Sequence, residues 1–441
     1  MRRKKFKKLI LALSLASVLF LFTGVHAVFA SINFLPAKNF AVGIFPVGVT
    51  AADFNNDGNV DLAATNQFAT NISVLLGDGA GNFGAATDFA AGNGPNGIVA
   101  ADFNNDGNVD LAVTNLLDTD IAVLLGDGTG SFGAATDFTV GDTPFAIIDG
   151  DFNNDGNVDL AVANSDNNFI SVLLGDGTGS FGAATAFTVG NGPVGIITAD
   201  FNNNGNADLA VTNLIDSDVS VLLGDGTGSF GAPTDFAVGI LPTGITTADV
   251  NNNGNADLAV AVSFENDVAV LLGDGTGSFG APTDFAVGFF PFDITAGDFK
   301  NNGNADLAVT NQLAADISVL LGDGAGSFGA ATDFAVGIFP TGITTADFDG
   351  NSRLDLAIAN SGTDNVSVLL QQVYGGSSTP APAADITVSN GNNTRAVTMT
   401  MQKKLYNLGF DPGPIDGIYG PKTQRAALQF LKSQGLLLKG R

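Results

Sequence analysis

Seven stretches of this sequence repeat one arrangement of oxygen-bearing side chains. The first runs Asp53, Phe54, Asn55, Asn56, Asp57, Gly58, Asn59, Val60, Asp61. With Asp53 counted as position one, side-chain oxygens stand at one, three, five, seven and nine, and glycine stands at six, where the chain must turn. A hard divalent cation such as calcium takes roughly six to eight oxygen ligands at about 2.3–2.6 Å in a flexible cage, and alternating oxygens around a glycine turn can supply one. A single loop of this kind could also close on its own Asx turns. Seven copies in register argue for the cation.

The copies differ in charge. The first three hold three carboxylates each, with asparagines between them: Asp53, Asn55, Asp57, Asn59 and Asp61; Asp102, Asn104, Asp106, Asn108 and Asp110; Asp151, Asn153, Asp155, Asn157 and Asp159. The fourth (Asp200, Asn202, Asn204, Asp208) and fifth (Asp249, Asn251, Asn253, Asp257) have asparagine at position five. The sixth carries Lys300 at position three, where an ammonium competes with a metal. The seventh has Asp347, Asp349, Asn351 and Asp355, but Ser352 replaces the turn glycine. Firm calcium sites are expected in loops one to three, weaker ones in four, five and seven, and a poor one in six.

Other chemistry is scarce. There is no cysteine, and the single histidine, His26, lies in the first 30 residues. Without them the chain lacks the usual general base, thiol nucleophile and zinc ligands, so no catalytic residues and no enzymatic activity are expected. The formal charge is −27. Six cations cluster at the start (Arg2, Arg3, Lys4, Lys5, Lys7, Lys8), ahead of an apolar run from Leu9 to Phe22, with Val28 and Ala30 placed for cleavage before Ser31. That pattern predicts a signal peptide over 1–30, a secreted protein and no membrane span after its removal. The run is shorter than the ~20 residues a span requires. Removing the leader leaves 11 basic against 44 acidic residues, a charge of −33. Such acidity argues against nucleic acid as a partner.

The loops need elements to hold them. Their starts, Asp53, Asp102, Asp151, Asp200, Asp249, Asp298 and Asp347, are each 49 residues apart. A second motif, LLGDGxGxFGA, follows on the same period six times but is missing after the seventh loop, where the chain reads LLQQ. The missing part stands at the front: NFLPAKNFAVG at Asn33–Gly43 aligns with NFGAATDFAAG at Asn82–Gly92. Complementary half-repeats at two ends suit a ring, in which the first strand completes the last sheet. In the second repeat the expected strands are Gly97–Phe103, Asp110–Asn115, Ile121–Gly126 and Ala134–Val140. The predicted fold is an all-β, seven-bladed β-propeller over 31–372 closed by an N-terminal strand. A Gly/Ser/Pro linker over 373–385 and a small α-helical domain over 386–441 follow.

The DxNxDGxxDL core and the GDGxGxF turn resemble FG-GAP/VCBS repeats, as found in integrin α-subunit propellers and many bacterial surface proteins. The resemblance implies calcium in the hairpins between first and second strands, a structural role for it, and adhesion. Some relatives are lectins. In the C-terminal part, Met401, Gln402, Leu405, Leu408, Gly409, Ile415, Asp416, Gly417, Gly420, Thr423, Ala426, Phe430, Gly435 and Leu436 resemble the pattern of the small helical peptidoglycan-binding domain. Leu431 departs from it, and the sequence after Gly435 is short of the pattern's final helix. An abbreviated module is expected. Residues 385–441 hold eight cations against three acids, which also suits anionic wall polymers.

In a four-stranded blade the calcium loops and GDGxG turns share one face, and the connectors from strand two to three and from each blade to the next share the other. Four of the latter are apolar and adjacent around a ring: Ile44 and Phe45, Ile240 and Leu241, Phe289 and Phe290, Ile338 and Phe339. Exposed, they would make a contact site for a protein or glycan; full burial would remove it. The function expected is a wall-associated adhesion or scaffold protein. The alternatives are a lectin, disfavoured by the absence of Trp and by three Tyr lying outside the repeats, and an accessory of wall hydrolysis.

Overall fold

The computed structural model describes residues 32–372 and, in the C-terminal segment, residues 402, 406, 411, 413–415, 422, 425, 426 and 429. The leader, the linker and most of the helical domain expected from sequence lie outside the described residues.

The repeats form seven four-stranded antiparallel sheets. Blade one comprises Pro46–Ala52, Asp61–Asn66, Asn71–Leu75 and Thr87–Ala90. Blades two to six repeat this pattern. In blade seven, Pro340–Ala346, Asp355–Asn360 and Asn365–Leu369 are joined by Lys38–Ala41 as the outer strand, in register from Lys38 opposite Val368 to Ala41 opposite Asn365. Each innermost strand lies against the innermost strand of the next blade, and that of blade seven lies against that of blade one. Thr341 donates across this last junction to Pro46 O at 3.2 Å.

The strand patterns follow from what each strand packs against. The second strands are buried on both faces along their whole length, as in Asp61–Asn66, because a sheet between two neighbours has no solvent face. The outer strands, such as Thr87–Ala90, are mostly exposed. Phenylalanines bind blades together: Phe54 and Phe132 meet edge to face at 5.6 Å, and Phe103 and Phe181 at 5.7 Å. The expected inner strand of blade two ends two residues earlier than predicted, at Ala101, because Asp102 already belongs to the loop.

Small residues line the axis because adjacent backbones approach closely there. A Cβ on Gly48 would sit 2.4 Å from Asn96 O, and one on Gly342 would sit 2.6 Å from Val47 O. The equivalent position in blade six is Asp293, whose carboxylate accepts from Ile294 N at 2.9 Å and Ile343 N at 3.1 Å. The axial cavity holds about 190 Å³.

Candidate metal centres

In blade one the loop closes on its own side chains. Asp53 accepts from Asp57 N at 3.2 Å and Gly58 N at 2.8 Å; Asn55 Oδ1 accepts from Asp57 N at 2.9 Å; Asp57 Oδ1 accepts from Asn59 N at 2.8 Å. Asp102 and Asp151 make the same bonds to Gly107 and Gly156. Carboxylate oxygens have capacity for a further partner each. Gly58 has φ 86°, and a Cβ added there would meet nothing within 4 Å, so the turn demands a left-handed backbone rather than space. Ser352 takes that conformation in blade seven, with φ 64°, and donates its N–H to Asp347 at 2.7 Å. The seventh loop therefore keeps the turn without glycine.

Position nine does more than the sequence suggested. Asp61 is fully buried and bridges two backbone donors, Phe54 N at 2.9 Å and Gly77 N at 2.7 Å. It ties the start of the metal loop to the start of the GDGxG turn in the same blade. Asp110, Asp159, Asp208 and Asp257 repeat this bridge, and in blade seven Asp355 accepts from Phe348 N and Gln371 N at 2.9 and 2.6 Å. In blade six Asp306 accepts from Lys300 N and Gly322 N. The double backbone bond explains why all seven loops carry aspartate here, even where lysine intrudes. Burial nevertheless pushes these carboxyls up: Asp110 and Asp306 to about 6, and Asp355 to about 7, with the nearby Asp347 and Asp349 adding to the last.

Position seven turns elsewhere. The side-chain oxygens of Asn108 and Asn157, expected as ligands, accept from Asn56 and Asn105 of the preceding blades at 2.8 and 3.0 Å. The same clasp continues from Asn154 to Asn206, Asn203 to Asn255 and Asn252 to Asn304. In EF-hand loops position seven binds calcium through its main-chain carbonyl, a route that leaves these side chains to the inter-blade bond. Asn59 lacks the clasp because position four of blade seven is Gly350. The position-four asparagines were not singled out from sequence, although their recurrence in six loops was the available signal. A further tie runs from each turn to the loop of the blade before it, as in Gly130 N to Phe54 O at 2.9 Å. Where blade seven lacks the turn, the Gln371 side chain donates to Phe299 O instead.

The loops divide by what stands at position three. In blade seven, Asp347, Asp349 and Asp355 each bring a carboxylate oxygen within 4.8 Å of the others. Among the described residues this is the one such cluster of acidic ligands, in a loop that the sequence ranked with the weaker ones. Positions one, three and nine thus face a common point, and in loops one to three the third carboxylate, Asp57, Asp106 or Asp155, stands at five instead. There it takes a hydrogen bond from the position-three amide, 3.1 Å from Asn55 to Asp57. In blades four and five the position-three amide donors face position nine: Asn202 Nδ2 lies 3.0 Å from Asp208 Oδ2, and Asn251 Nδ2 lies 3.5 Å from Asp257 Oδ1. Asn202 Oδ1 is buried without a hydrogen-bond partner. Rotating that amide would turn an orphaned oxygen toward the carboxylates, which fits a hard cation at this point. Asn204 and Asn253 keep the turn of position five, each accepting from the residue two further on at 2.8 Å, but not its charge. Asn351 accepts from Arg353 N at 2.8 Å.

On the opposite face the four apolar connectors split by alternation. Ile44, Ile240 and Phe289 are exposed, at 58, 47 and 45%, while Phe45, Phe290 and Phe339 are buried. Leu241 and Ile338 are half-buried. Phe68 adds a ring stacked on Phe45 at 4.6 Å and is itself 49% exposed. The arc is therefore neither fully covered nor fully open.

Comparison with known families places names on both parts. Residues 53–113, 151–211 and 249–309 match the FG-GAP-like repeat, each match beginning at position one of a metal loop and running through the next. Residues 394–437 match a family described as a peptidoglycan binding domain. No curated protein matches the chain. Among solved structures, BBS1N in complex with ARL6DN is similar with 13% identity, a TM-score of 0.56, and 78% of this chain and 98% of that chain covered. Virginiamycin B lyase from Staphylococcus aureus is similar with 19% identity, a TM-score of 0.54, and 78% and 99% covered. The WD40 domain from Toxoplasma gondii coronin gives 10%, 0.55, and 79% and 88%. At these identities the likeness is one of fold.

Proposed function

We propose that this chain, which carries FG-GAP-like repeats on a seven-bladed propeller and a peptidoglycan-binding domain at its C-terminus, is a secreted scaffold that holds an adhesive disc at the cell wall. The observation that carries the reading is the union, in one chain, of a wall-binding family match and a propeller. The leader over 1–30 supplies export, the helical module over 386–441 supplies attachment, and pairing of Lys38–Ala41 with blade seven serves as the clasp that closes the ring.

Calcium is the cation proposed for the loops. Positions one, three and nine would hold it, joined by position five, and in blade seven these are Asp347, Asp349, Asp355 and Asn351. Its chemistry there is charge neutralisation rather than catalysis. Each loop is bonded to its own blade through position nine and to a neighbour through position two, and all but the seventh also reach a neighbour through the asparagine at position four, so a cation that quiets one loop stiffens two blades. The apolar connectors on the opposite face are the proposed contact for a protein or glycan. Sedimentation with purified sacculi tests the reading: the chain is expected to pellet, and a chain ending at residue 385 is expected to stay in solution. A native chain that stays in the supernatant overturns wall attachment.

A further inference from the structure

Four connectors on the face opposite the metal loops hold bulky apolar residues in a backbone conformation such residues rarely adopt. Phe45, Leu241, Phe290 and Phe339 have φ of 59°, 60°, 58° and 53°, where blades two and four have Gly94 and Gly192. Strain of this kind persists only where surrounding contacts enforce it. Here a buried apolar cluster supplies those contacts. Phe45, Phe290 and Phe339 join Leu116 and Leu214 in one buried cluster, and the same cluster contains Ala426, only 1% exposed, from the segment that matches the peptidoglycan-binding family. Its neighbours Lys422 and Arg425 are exposed.

Charge favours the same pairing. The connectors of this face carry Asp118, Asp142, Asp166, Asp216, Glu265 and Asp364 and no lysine or arginine, whereas residues 385–441 hold eight cations against three acids. The chain leaves the propeller after Gln372, beside the metal loops, so the segment must round the disc to reach this face. The 21 residues over 373–393 can span at most about 70 Å, which is ample.

We propose that the C-terminal segment docks on this face as a cap, seating Ala426 on the apolar floor around the propeller axis. The contact face is then closed to other partners until the segment leaves. Release on wall binding follows only if the segment is the wall-binding module proposed above, so the two ideas are tested separately.

The chain has no cysteine, which makes introduced pairs unambiguous. In the full chain without wall material, Ala426→Cys paired with Leu116→Cys or with Leu214→Cys is expected to form an intrachain disulfide about ten-fold faster than Ala426→Cys with Thr129→Cys on the metal-loop face, reflecting effective concentration at a docked site. Two separate floor positions guard against one variant misfolding. Adding Phe290→Gly, which that backbone conformation accommodates, is expected to slow the Leu214 pair. Equal rates for floor and control pairs overturn the cap. Fast floor pairing with no sedimentation of the native chain on sacculi leaves the cap standing and removes wall attachment; the reverse result removes the cap alone.

Discussion

Asp349→Asn gives the sharpest test of the loops, because its effect depends on whether a cation is present. The carboxylates of Asp347, Asp349 and Asp355 lie within 4.8 Å of one another. Two charges at that separation repel by about 2–3 kcal/mol at an effective dielectric constant of 20–40. Asp349 and Asp347 are half-exposed, and Asp355 is part-protonated at neutral pH, its pKa being about 7. The relief from neutralising Asp349 is therefore about 2 kcal/mol after allowance for solvent screening. Asparagine keeps the acceptor for Asn351 N, which lies 3.2 Å from Asp349 Oδ1. Scaled to the ~340 propeller residues, 2 kcal/mol raises Tm by about 3 °C. In calcium the balance changes. A site with a Kd of about 0.1 mM contributes about 2.7 kcal/mol at 10 mM calcium, and a ten-fold weaker variant site contributes about 1.4 kcal/mol. The variant is thus expected to melt about 3 °C above the parent after metal removal, and to lose about 2 °C of that lead in 10 mM calcium. Circular dichroism melts of both chains in both buffers read this directly. A variant that melts below the parent without metal, or one with an undiminished gain from calcium, refutes the reasoning.

Metal-free protein should lose stability as pH rises. Asp110 and Asp306 titrate near 6 and Asp355 near 7 in the fold, all above the ordinary 3.8, so the folded state holds more protons between these values. The contribution is complete below about pH 4 and lost as pH climbs through 6 to 7. Melts of dialysed protein from pH 4 to 7.5 check the trend, and a rising Tm contradicts it. Lys300→Asn should create a loop like that of blade four, visible as an added calcium-dependent increment in Tm; no increment argues against cation binding at position three. Gly58→Ala should cost only about 1 kcal/mol, because φ is positive but space is free, whereas Gly77→Ala should be far worse, its Cβ falling 2.2 Å from Val60 O. Comparable urea midpoints for the two would disprove that distinction.

The period of 49 residues, the four-stranded unit and the half-repeats at the two ends were legible in the sequence because a repeated hydrophobic pattern with fixed turns permits few arrangements. The pairing of Lys38–Ala41 with Asn365–Leu369 could be read from the alignment of Asn33–Gly43 with Asn82–Gly92. Loop oxygens were legible too, since their spacing is local. Less visible was which oxygens serve the blade and which face the cation. Asn56 and Asn108 are 52 residues apart, and the packing of blade one against blade two brings them to 2.8 Å.

The sequence by itself determined the blade count, the turn positions and the identity of every charged group, all of which follow from local spacing. Tertiary structure alone decided that Asp61 bridges two buried amides, that Asp347, Asp349 and Asp355 converge, and that Phe45 turns inward while Ile44 stays in water. Those outcomes depend on where a neighbouring blade sits, and packing against a neighbour sets the direction of a side chain without leaving a mark in its own local sequence.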